Sequence, residues 1–82
     1  MSIEAIAAAL AEVRDELLVA HHQVTVGRDR LAEAVGTLTT LERNHPGSLS
    51  PPEFREAEDR LARGLEAIVG GVAAIDEFRA KL

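Results

Sequence analysis

Apolar residues recur along this chain at alternating spacings of three and four, in two long stretches separated by a single cluster of helix breakers. The first stripe runs Ile3, Ile6, Leu10, Val13, Leu17, Ala20, Val24, Gly27, Leu31, Ala34, Leu38 and Leu41. The second runs Phe54, Ala57, Leu61, Gly64, Ile68, Gly71, Ile75, Phe78 and Leu82. Such spacing keeps one side of an α-helix apolar, and sustained over many turns it is the heptad pattern of a coiled-coil seam. The breakers, Asn44-His45-Pro46-Gly47-Ser48-Leu49-Ser50-Pro51-Pro52, divide the chain once. The pattern therefore predicts an all-α chain in which residues 1–82 form one long antiparallel helical hairpin. Its elements are a helix over about 2–43, a loop over about 44–50 and a helix over about 51–81.

Capping chemistry sharpens those boundaries. Ser2 is placed to cap the first helix, with Glu4 favourable against the positive end of the helix dipole. Ser50 and Glu53 have the spacing of a capping box, Pro51 stands at the first helical position, and Leu49 and Phe54 flank them as a hydrophobic staple. Asn44 tolerates the left-handed conformation that ends a helix, and Pro46 blocks continuation.

If the chain folds back around Pro46 to Ser48, facing residues have numbers adding to about 95. The layers are then Leu41 with Phe54, Leu38 with Ala57, Ala34 with Leu61, Leu31 with Gly64, Gly27 with Ile68, Val24 with Gly71, and Ala20 with Ile75. Most pair a large side chain with a small one, which would let the backbones approach closely. The candidate seam is Val24, Gly27, Leu31, Gly64, Ile68 and Gly71. A glycine inside a helix costs about 1 kcal/mol relative to alanine, and close helix contact would offset that; simple tolerance is the other explanation.

The same register sets Val13 beside Leu82 and leaves Ile3, Ile6 and Leu10 beyond the end of the second helix. A further apolar strip, Leu65, Val69 and Val72, lies beside the seam, and Leu18, Val19 and Val26 widen the first helix. A chain this short and elongated buries little by itself. Ile3, Ile6, Leu10, Leu65, Val69 and Val72 are thus the candidate oligomer interface, and the expected assembly is a homodimer of hairpins forming a four-helix bundle, its orientation open.

Charge and composition narrow the function classes. Nine Lys and Arg against fourteen Asp and Glu give a net charge of −5, which repels phosphate backbones and argues against nucleic acid as a partner. With no cysteine there is no disulfide, thiolate metal site or thiol nucleophile. Phe54 and Phe78 are the only aromatic residues, so stacking platforms are missing. No apolar run is long enough for a membrane span, and the Met1-Ser2-Ile3-Glu4 start lacks the basic region of a secretory signal. The expected location is cytoplasmic, or outside the cell by export without a cleaved signal.

No catalytic constellation can be assembled, and no cofactor or metal is expected. His21 and His22 point about 100° apart on a helix and cannot share one metal as an i, i+4 pair could. They read as flank histidines, with a pH-sensitive interface at His21 as the functional alternative. His45 belongs to the loop. Arg14, Arg28 and Arg30 interleave with Asp15, Glu16, Asp29 and Glu33, as on a solvated face. On the second helix Arg55 with Asp59, Glu56 with Arg60, Asp59 with Arg63, and Glu77 with Lys81 are i, i+4 pairs, each contributing ~0.3 to 0.5 kcal/mol of helix support.

In size and topology the whole chain resembles the Trp-x-Gly helical-hairpin family exported by type VII (ESX) secretion systems, and similar small actinobacterial hairpin proteins. Where that family has its Trp-x-Gly turn this chain reads Asn44-His45-Pro46-Gly47, and in place of the C-terminal Tyr-based export signal stands Ile75-Asp76-Glu77-Phe78-Arg79. The resemblance implies a hairpin fold and a secreted effector or export chaperone, and assigns no functional residues. Three readings follow: a non-enzymatic interaction or assembly protein that binds itself or another helical protein; an ESX-type export protein; and an acidic antitoxin-like or immunity-like protein masking a basic partner.

Overall fold

A computed structural model describes residues 2–43 and 52–82, and these form two helices packed against each other as a hairpin, α1 (Ile3–Glu42) and α2 (Pro52–Ala80). No strand occurs among the described residues. Forty residues at 1.5 Å each make α1 about 60 Å long, and it sets the length of a molecule measuring 65 × 16 × 14 Å. The Ser2 hydroxyl caps α1 as expected, accepting from the Ala5 N–H at 3.0 Å. At the other end, Arg43 stays right-handed and its N–H reaches the Thr39 and Leu41 carbonyls. The capping box and staple of the second helix, and the Asn44 stop, rest on residues outside the described ones.

The helices meet in a different register from the one the layers implied. Arg14 on α1 bonds Asp76 on α2 at 2.7 Å, and Leu17 is the side chain a Cβ at Gly71 would meet, at 3.5 Å. Facing numbers therefore add to about 88 to 90, not 95. Pro52 comes level with about residue 38 and Ala80 with about residue 10. Leu41, left beyond the start of α2, is exposed.

Helix α1 is also turned about its axis relative to the sequence-read seam, whereas the seam of α2 is widened on one side. On α1, Leu10, Leu17, Val24, Leu31 and Leu38 are half-buried as expected, but their companions are Arg14, His21, Arg28 and Val35; Val13, Gly27, Ala34 and Leu41 are exposed. On α2, Phe54, Ala57, Leu61, Gly64, Ile68, Gly71 and Ile75 are half-buried as expected, and they are joined by Val72 and by Leu65, which at 7% exposure is the one buried residue among those described. The physical reason is area. Gly64 and Gly71 on one side of that line have no side chain to remove from water, whereas Leu65 and Val72 on the other each gain roughly 1.5–3 kcal/mol when fully covered. Turning toward the larger residues also brings Arg14 to Asp76, and lets the aliphatic stems of Arg14 and Arg28 cover the seam while their charged heads stay wet.

Candidate functional site

No group of three or more His, Asp or Glu among the described residues could hold a metal ion. The surface feature that stands out is a shallow apolar groove along one flank of the hairpin. Its first section, about 360 Å³, is lined by Leu18, His21, Ile68, Val69, Val72, Ala73 and Asp76. The second, about 460 Å³, is lined by His21, Thr25, Arg28, Ala62, Leu65, Glu66 and Val69. His21 and Val69 line both, so the sections form one continuous trough centred on that pair.

The groove exists because the two helices are rotated as they are. With Leu65 turned inward, its neighbours Val69 and Val72 face the flank, and the stagger of α1 brings Leu18 and His21 alongside them. Leu18 remains 45% exposed and Val69 55%. Thr25 donates its hydroxyl to the His21 carbonyl at 2.8 Å, tying its polar atom to its own helix. Thr39 does the same to the Val35 carbonyl at 2.9 Å.

Charge is divided between the walls. From α1 come Arg28 and His21; from α2 come Glu66 and Asp76. At one end Arg14 donates two hydrogen bonds to Asp76, at 2.7 and 3.3 Å, forming the ion pair that joins the helices. That hydrogen bond, and then the charge of Asp76, hold the Arg14 guanidinium above its usual range. A raised basic group adds stability below its ordinary value and loses it only as pH rises through the folded value, well outside the neutral range. Arg28, half-buried at the other end, makes no ion pair among the described residues.

The candidate residues divide as follows. Val24, Leu31 and Ile68 stand half-buried in the seam, as does Gly71, where an added Cβ would meet Leu17 at 3.5 Å. Gly27 and Gly64 face open space, with nothing within 4 Å of an added Cβ, so neither provides the close backbone approach expected of it. Of the expected oligomer interface, Leu65 is already buried within the hairpin, at 7% exposure. Val69 and Val72 line the groove, Ile6 and Leu10 are half-buried, and Ile3 is 60% exposed beyond the end of α2. The expected overhang is thereby shortened to the first two turns of α1.

Leu18, His21 and Arg28 as neighbours of Val69 are what the sequence reading missed. The signal was present, since Arg14, His21, Arg28 and Val35 continue a spacing of seven, but apolarity alone favoured Val13, Ala20, Gly27 and Ala34. Expected i, i+4 pairs appear at Arg60 with Glu56 and Lys81 with Glu77, while Arg63 donates to the Asp59 carbonyl instead of its carboxylate. No helix of the described chain is long and apolar enough to cross a membrane. Comparison with protein-family models, with curated proteins and with solved structures finds no match.

Proposed function

We propose that this chain is a non-enzymatic assembly module that works by self-association, two hairpins closing into a four-helix bundle. The observation that carries this reading is the thinness of the core: among the described residues Leu65 alone is buried. A compact monomer of 8.8 kDa exposes about 4,800 Å², whereas this hairpin exposes 6120 Å². Its radius of gyration is 18.9 Å, against about 12 Å for a compact chain of this length. Ile3, Val13, Leu18, Val19, Leu41, Val69 and Phe78 thus stay wet, and a second hairpin is the simplest cover of matching length and period.

The test is the solution mass by size-exclusion chromatography with multi-angle light scattering over a wide dilution series. Twice the 8.8 kDa chain mass, persisting on dilution, supports the reading. A folded monomer up to the highest soluble concentration overturns it and leaves the apolar flank for a different protein.

A further inference from the structure

We infer that Gly70-Gly71 is a hinge, and that the arm of α2 beyond it, residues 72–80, opens from α1 as a unit while the half of the hairpin around Leu65 stays closed. This goes beyond the self-association reading and does not depend on it. Two adjacent glycines stand in the interior of a 29-residue helix. Each lowers the helical population by a factor of about five relative to alanine, and such pairs are among the few sequences at which a helix bends sharply. Packing does not require them. A Cβ at Gly70 would meet nothing within 4 Å, and one at Gly71 would make ordinary contact with the Leu17 side chain at 3.5 Å. Gly64 faces open space as well, but Leu61, Leu65 and Ile68 hold the helix against α1 on both sides of it.

The two sides of the pair are held unequally. Toward the start of α2, Leu61, Ala62 and Ile68 are half-buried and Leu65 is buried. Beyond the pair only Val72 and Ile75 are half-buried, while Phe78 is 52% exposed and Leu82 43%. The Arg14–Asp76 ion pair also ties the arm to α1, but its side chains are 33% and 47% exposed, and a pair so open to water holds little. Once undocked, a segment this short does not stay helical in water. The opposing end of α1 does, because it carries Ala5, Ala7, Ala8, Ala9 and Ala11, the strongest helix former, behind the Ser2 cap. The arm therefore opens against a helix that remains formed. Opening bares Leu17, Val72 and Ile75, so the position of the arm sets how much apolar surface that end of the hairpin presents.

The experiment is native-state amide hydrogen exchange on the full chain at one fixed protein concentration, read residue by residue by NMR. Amides of residues 74–79 should share a single protection level, more than about tenfold below that of Leu65 and Ile68, with the step at the glycine pair. Gly70→Ala combined with Gly71→Ala should raise the protection of the arm by about ten- to thirtyfold. Leu65→Ala should lower protection over residues 61–68 and leave that of the arm within about twofold, because the arm opens without the core. Ile75→Ala, which keeps Leu65 in place, should do the reverse. Protection that falls evenly from Leu65 to Ala80 would mean simple end fraying and overturns the hinge. An arm that loses protection in step with residues 61–68 on Leu65→Ala overturns it too, since the hairpin would then open only as a whole. Alanines at both glycines that leave the arm unchanged place the opening elsewhere and overturn the role of the pair.

Discussion

Helix α2 presents Leu61, Leu65, Ile68, Val72 and Ile75 to its neighbour, an unbroken apolar line, whereas α1 answers with Leu10, Leu17, Val24, Leu31 and Leu38 alternating with Arg14, His21, Arg28 and Val35. The two lines do different work. That of α2 supplies the area that holds the hairpin closed, concentrated at Leu65. That of α1 mixes aliphatic cover with heads that reach the flanks, where they pair, as Arg14 does with Asp76, or line the groove, as His21 and Arg28 do. A helix that gives three of its nine inward positions to such residues buries less apolar area against its hairpin partner.

The strongest way to break this comparison is at Leu65. Leu65→Ala should destabilise the hairpin by about 2 to 4 kcal/mol, from lost transfer energy and an unfilled gap. Urea unfolding followed by circular dichroism at fixed protein concentration reads it. A cost no larger than that of an exposed substitution would mean the core lies elsewhere.

A smaller effect, of opposite sign, tests the rotation of α1. Gly27 faces open space, so Gly27→Ala should stabilise by about 0.5 to 1 kcal/mol, through helix propensity alone. The layer scheme read from the sequence set Gly27 against Ile68, where an added methyl group would press on the opposite helix. A fall in melting temperature would bring that scheme back.

Least of all, Asp76→Asn should lower the melting temperature slightly, because an exposed ion pair is screened and its side chains lose entropy in forming it. The loss should shrink further in high salt. A large, salt-insensitive drop would show that Arg14 and Asp76 fix the register and do not merely decorate it.

Much of the fold was legible in the chain because helix periodicity and breakers are local signals. The stripes of three and four, the single cluster from Asn44 to Pro52 and the Ser2 cap led to two helices ending close to Glu42 and beginning close to Pro52. Less of the surface was legible. Leu17, Val24 and Leu31 belong to two interleaved heptads at once, one continued by Val13, Ala20 and Gly27, the other by Arg14, His21 and Arg28. Hydropathy ranks the first above the second, yet alanine and glycine have little area to bury, and long polar side chains bury their stems.

By itself, then, the sequence determined that this protein is two long helices, acidic and without thiols, since each of these depends on residue identity or on spacing within one helix. Only the tertiary structure decided which side of each helix faces the other, by how many residues they are staggered, and that Leu18, His21, Val69 and Val72 share a groove. Those choices are sums over both helices at once. A rotation that favours Leu65 commits α1 to Arg14 and Arg28, and no stretch of either helix alone contains that balance.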